Sequence, residues 1–419
     1  MESKLISRGV KHKRSAIIGM FVGALMLTPL SVNAAGHSVA GKFGVAIPET
    51  TVNIGLCPFG DHTLLAAGMA HGYFEDVGIN VGPEKFSSVA YNQILPLLLK
   101  GDYDVTTDYY PGALQSLANT DEKQQFTFSD TYVGLYFMAA PGTGYKTVPD
   151  LVEQGVPFND AIKEVMAQFK GKRVAVDDTG SHRGFIDAIF DLGGITPDDL
   201  GEFLFVDDAT MLLMGRGGKV DFVKTLGGAQ SAELVLDGWY IMVGVEDLIA
   251  GLPAGDPRGV LGIGHTGLST TKEYYAANRD TILRVAGVMF RSIDAVQKDL
   301  AEGTTDNALG AILPVLESNA AVEIGIPGLK IIYEVIDPFK NFEEQAEYWL
   351  EVDNPFYYAN VYNPQLKTMQ DGGVVSEDKT VDDATLGPEV YRALVAYRLR
   401  YDMLLGHAGS LTGDAAALA

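Results

Sequence analysis

The 419-residue chain holds a single cysteine, Cys57. One thiol forms neither an internal disulfide nor a thiolate zinc cluster, so the fold must rest on its apolar core. The seven histidines fall at no metal-ligand spacing, and no metal or other cofactor is expected. Basic charge is scarce as well: 31 Lys and Arg face 54 Asp and Glu, a net charge of −23. Such a polyanion repels nucleic acid phosphates and acidic headgroups, so no nucleic-acid partner is expected. Catalytic motifs are missing too. Gly180-Ser181-His182-Arg183-Gly184 has Thr179 where a nucleophile elbow needs glycine. Gly142-Thr143-Gly144 lacks the length and the Lys-Ser/Thr ending of a phosphate loop. The acidic pairs Asp177-Asp178 and Asp207-Asp208 read as helix-entry caps rather than acid/base partners. Cys57 reads as a small buried residue rather than a nucleophile, and no enzyme activity is expected.

Long apolar runs are confined to the N-terminus. Lys4, Arg8, Lys11, Lys13 and Arg14 precede the run Ser15 to Leu30, which leads to the small-residue site Val32-Asn33-Ala34. This order predicts a secretory signal, residues 1–34, cleaved after Ala34. The run is shorter than the roughly 18 apolar residues of a spanning helix, and Pro29 interrupts it. No cysteine follows it, so a soluble periplasmic product without a lipid anchor is expected. That mature chain would carry 26 basic and 53 acidic residues, a net charge of about −27. Its length of about 385 residues fits two domains better than one.

Two stretches share one grammar. From Phe169 to Val223, Arg173–Val176 reads as a strand and Asp177 to Ser181 as a turn. Phe185, Ile186, Ile189 and Phe190 recur at helical spacing, and Gly193-Gly194 stops that helix. Thr196-Pro197-Asp198-Asp199 is a capped helix start, Phe203 to Val206 a second, buried strand, Asp207-Asp208 a cap, and Val220 to Val223 a third strand. A second copy runs from Val52 to Pro111. It has strands at Val52–Leu56, Ile79–Val81 and Asp104–Thr106, and helices at Thr63–His71 and Tyr91–Leu99. Alternation of this kind predicts α/β architecture with ligands at the carboxyl ends of the strands: two Rossmann-like lobes. Thr131 to Ala140 and Val260 to Leu268 are the predicted crossings between them. Ile282, Val285, Met289, Ile293, Val296 and Leu300 mark the core face of a long helix. Pro388 to Leu405 predicts a C-terminal helix, and the small-residue tail 406–419 is expected to be disordered.

Candidate ligand contacts follow from that placement. Phe59, Asp61 and His62 come after the first strand, and Asp108, Tyr109 and Tyr110 after the third, so both groups would face one cleft. Thr179, Ser181 and His182 sit where a strand hands over to a helix and can hold an anion or carbonyl oxygen. Trp239, after the turn Asp237-Gly238, can close over a ligand from the second lobe.

The chain also resembles the periplasmic solute-binding proteins of ABC importers, in the group serving nitrate, sulfonates, taurine and the pyrimidine precursor of thiamine. The resemblance rests on Gly72-Tyr73-Phe74 with Gly78-Ile79-Asn80-Val81, on Leu97 to Asp104, on Phe169-Lys170-Gly171-Lys172-Arg173-Val174-Ala175-Val176, and on Gly193 to Asp199. It implies a type II periplasmic binding protein fold: lobe 1 from 35–135 plus 266–405, lobe 2 from 136–265, and two crossing strands. It implies hinged closure on a ligand and delivery to an ABC permease and its ATPase by a monomer. By position it adds Gly228 to the site. A small organic ligand of the sulfonate, amine or aromatic heterocycle class is expected, because acids crowd the predicted loops. Two alternatives stand beside this: an exported enzyme on the same scaffold using His62 or His182 as base, and a ligand-sensing subunit of a receptor.

Overall fold

Two five-stranded sheets organise the chain. The computed structural model describes residues 47–81, 86–177, 182–224, 227–253 and 255–410, with the backbone alone for 86, 87 and 404–410. Twelve strands occur among them: β1 (Thr50–Thr51), β2 (Ile54–Leu56), β3 (Ile79–Asn80), β4 (Phe86–Ser88), β5 (Val105–Tyr109), β6 (Lys123–Phe128), β7 (Tyr136–Ala139), β8 (Arg173–Val176), β9 (Glu202–Phe205), β10 (Phe222–Lys224), β11 (Tyr240–Gly244) and β12 (Thr266–Thr271). The first sheet has the order β4-β2-β5-β12-β6 and the second β11-β7-β10-β8-β9. In each, four strands run in one direction and a single strand, β12 in the first sheet and β7 in the second, runs against them. The expected α/β architecture is therefore present, in two sheet-centred halves.

The halves exchange chain twice. After β6 the chain leaves the first sheet and enters the second at β7; after β11 it returns to the first at β12. The two crossings pair with each other: Tyr132 N–H donates to the Gly264 carbonyl at 2.8 Å, and Gly264 N–H to that of Tyr132 at 3.1 Å. The regular strand of the first crossing begins only at Tyr136 rather than at Thr131.

Local chemistry explains most element ends. Gly101 (φ 78°) and Gly194 (φ 65°) take the left-handed conformation that ends the helices Ile94–Lys100 and Arg183–Gly193. Asp207 caps Asp208–Arg216 by accepting from Thr210 N–H, and Thr196 opens its short turn with a capping box. The long helix, Lys272–Glu302, is capped by Thr271 and buries Ile282, Val285, Met289, Ile293 and Val296. Each such side chain contributes about 1.5–3 kcal/mol.

Four expectations are corrected here. Among the described residues β3 pairs only with β1, in a separate two-stranded ladder; the outer neighbour of β2 is β4, a strand that sequence periodicity did not mark. β9 is an edge strand with Phe205 at 43% exposure, not a buried one. β5 runs on through Tyr109, so Asp108 and Tyr109 lie on a strand and not in a loop. The C-terminal helix, Gly387–Ser410, extends past Gly406, where the tail was expected to begin. The signal 1–34 and residues 411–419 lie outside the described residues. Among the described residues no single helix is long and apolar enough to cross a membrane.

Candidate functional site

A pocket opens at the carboxyl ends of the parallel strands. Phe59, Asp61 and His62 follow β2, Tyr91 follows β4, Tyr109 ends β5, and Tyr132 lies on the first crossing. Thr266 starts β12, while Gly227 and Gly228 follow β10 of the second sheet. The lining encloses about 450 Å³ of empty space, its open mouth included. Walls from both halves thus meet around one cavity, the position at which open α/β sheets bind ligands.

Close packing fixes the aromatic wall. The Tyr109 ring meets Tyr132 edge-on at 6.0 Å and His182 edge-on at 6.2 Å. It lies so close to the second crossing that a Cβ on Gly264 would fall 2.0 Å from its Cε2. Gly228 serves the opposite wall, where a Cβ would come within 2.9 Å of Asp337 Oδ2.

Three buried carboxylates gather at Asp61. Asp61, Asp130 and Asp337 each place an oxygen within 4.8 Å of the others. Thr266 joins two of them, donating its hydroxyl to Asp61 Oδ2 and its N–H to Asp130 Oδ1 at 2.9 Å. Asp337 is 1% exposed, and its Oδ1 has no hydrogen-bond partner among the described residues. Burial, then the charge of Asp61, pushes Asp130 and Asp337 well above the usual carboxylate range. Burial and then Asp61, Asp130, Asp337 and Asp177 likewise raise the Tyr109 phenol.

Across the pocket a cation is already matched. Lys224, at the end of β10 and 0% exposed, pairs with Asp177 at the end of β8. His182 Nδ1 lies 2.7 Å from Lys224 Nζ and 3.2 Å from Asp177 Oδ1, and its Nε2 is buried with no hydrogen-bond partner among the described residues. Burial opposes the Asp177 charge, but His182 and Lys224 beside it hold the carboxyl far below its usual range. Burial and Lys224 lower His182, and burial lowers His62 against the pull of Asp61. Both rings are therefore neutral at pH 7.

Of the residues singled out from sequence, Phe59, Asp61, His62, Tyr109 and Gly228 line the pocket, and His182 packs on Tyr109 from the second half. Asp108 does not line it. Neighbouring strand residues point to opposite faces, and Asp108 turns to an ion pair with Lys123 at 3.1 Å and a bond from Ser269 at 2.8 Å. Tyr110 is buried, its ring tilted against Tyr362 and its hydroxyl donating to the Val381 carbonyl. Trp239 fills the second core against Gly215 rather than covering the cavity. Thr179 and Ser181 lie outside the described residues. Cys57 is fully buried, its thiol pushed up by burial and by Asp108.

Sequence reasoning missed Tyr91, Asp130, Tyr132, Lys224, Thr266 and Asp337. A usable signal existed for three of them: Lys224 ends a buried strand, Asp130 follows another by two residues, and Asp337 follows the stretch 331–336, apolar except for Glu334. A charge at such a place requires a partner or a function.

No family model and no curated protein matches this chain. Solved structures do. The periplasmic aliphatic sulphonate binding protein SsuA from Escherichia coli is 12% identical with a TM-score of 0.56, covering 82% of this chain and 99% of its own. The alkanesulfonate-binding protein SsuA from Xanthomonas axonopodis pv. citri, bound to MOPS, is 15% identical with a TM-score of 0.53, covering 82% and 100%. The desulfurization enzyme DSZB is 12% identical with a TM-score of 0.50, covering 83% and 100%. At these identities the likeness is one of fold: the chain has the two-lobed α/β fold of the periplasmic binding proteins.

Proposed function

We propose that this protein is the periplasmic solute-binding component of an ABC importer, capturing one small organic molecule by hinged closure and releasing it unchanged. The observation that carries this reading is the pocket itself, with lining from both halves and at the ends of their parallel strands. In this reading lobe 1 comprises 35–135 and 266–405 and lobe 2 comprises 136–265. The signal 1–34 directs export, no lipid anchor follows, and the closed monomer delivers its ligand to a permease and ATPase. Phe59, His62, Tyr109 and Gly228 contact the ligand, with His182, Thr179 and Ser181 closing from lobe 2. Affinity comes from aromatic contact area and a few directed hydrogen bonds.

A second reading has one specific observation behind it. An enzyme shares the fold, and His62 and His182 are neutral and so able to accept a proton. One experiment separates the two: incubate the purified protein with a compound that raises its melting temperature, then recover and analyse that compound. Recovery unchanged supports capture; a product in stoichiometric excess over protein overturns it.

A further inference from the structure

The charge around the pocket is unequal. On one side the Lys224 ammonium and His182 Nδ1 both reach Asp177. On the other, Asp61, Asp130 and Asp337 converge with no Lys or Arg among the described residues paired to any of them. A hydroxyl and a backbone N–H from Thr266, and the Ser129 hydroxyl at 3.4 Å, supply Asp61 and Asp130. Asp337 Oδ1, nine-tenths buried and more, has no hydrogen-bond partner among the described residues. Gathered carboxylates repel one another, and an unpartnered buried oxygen is destabilising. Folded proteins keep such an arrangement where something else completes it.

What completes it is indicated by the rest of the lining. Asp61 belongs both to the acid cluster and to the pocket, and beside it stand Phe59, His62, Tyr91, Tyr109 and Tyr132. His62 Nδ1, on the lining itself, is another buried polar atom with no hydrogen-bond partner among the described residues. Ring faces attract organic ammonium groups, and buried carboxylates hold them by charge-assisted hydrogen bonds. A bare metal ion has use for the three carboxylates but not for the aromatic wall. A sulfonate or nitrate suits neither.

We propose that the captured solute carries an ammonium group, seated against Asp61 with Asp130 and Asp337 behind it, while its apolar part lies on the Tyr109 wall. This rests on the capture reading and narrows its ligand class to amines. The test is a thermal-shift screen and calorimetric titration of chelator-treated protein with choline, phenethylamine and putrescine, with taurine and hexanesulfonate, and with calcium and magnesium chloride. At least one of the three amines is expected to bind, and Asp337→Asn to weaken it about 10- to 100-fold. The same variant is expected to raise the melting temperature of the ligand-free protein, because it removes a buried repulsion; a purely structural carboxylate would lower it. Asp61→Asn, at the pocket end of the cluster, gives an independent second loss of affinity. Sulfonate binding with no amine binding overturns the charge assignment and leaves capture standing. Binding of calcium or magnesium alone, lost in Asp337→Asn, overturns it in favour of a metal site. Binding by nothing in the panel overturns both readings.

Discussion

Gly264→Ala tests the wall of the pocket most simply. Gly264 has no positive φ, so alanine fits its backbone and the effect is steric. The new Cβ would lie 2.0 Å from Tyr109 Cε2, 2.3 Å from Oη and 2.4 Å from Cζ, where carbon atoms normally stay about 3.5–4.0 Å apart. The Tyr109 ring must therefore shift by about 1.5 Å. Backbone relief is blocked because Tyr132 and Gly264 exchange two hydrogen bonds, so the ring moves toward the cavity. Overpacking of this kind costs about 1–3 kcal/mol, and the displaced ring fills space the solute needs. Urea denaturation should show the lower midpoint with an unchanged slope, and titration should show lost affinity. The decisive comparison is a double-mutant cycle. In a Tyr109→Ala background the same Gly264→Ala change should be within about 0.5 kcal/mol of neutral, giving a coupling of about 1–3 kcal/mol. An equal cost in both backgrounds would refute the steric argument.

Two further outcomes follow from buried charges. Asp177→Asn leaves the Lys224 ammonium buried without its counter-charge and should cost about 3–5 kcal/mol. Adding Lys224→Met should recover most of that loss in thermal melts. Burial works against the Asp299 charge, but bonds from Thr304, Asn307, Leu309 and Ala308 hold its carboxyl at about 2. A depressed carboxylate adds stability that is complete above about pH 4 and lost as pH falls toward 2, here about 2 kcal/mol. Asp299→Ala should remove that amount at pH 7 and flatten the stability profile between pH 4 and pH 2.

How far the sequence could be read depended on whether a residue's role was local. Gly194 closing a helix, Asp207 capping the next and the apolar face of Lys272–Glu302 are set by neighbours in the chain, and each was legible. The pocket was legible where it follows strand ends: Phe59, Asp61, His62 and Tyr109 were all found by that rule. Asp108 and Tyr110 were grouped with them because β5 was read three residues short, and the pleat then sends Asp108 to Lys123. Trp239 illustrates the other limit, since only tertiary contact with Gly215 places it in a core. That Asp130 and Asp337 meet in one cluster was hidden for the same reason. They are more than 200 residues apart in sequence, and only the C-terminal region folding back over the crossings brings Asp337 to Asp61 and Asp130.

The central claim is reversible capture of one small molecule in the Tyr109-walled pocket. Native mass spectrometry of purified protein, incubated with an amine from the panel and then denatured, tests it directly. The account predicts one ligand per chain, released with its mass unchanged and absent from Tyr109→Ala. A folded protein that holds no small molecule, or that releases one of altered mass, would contradict it.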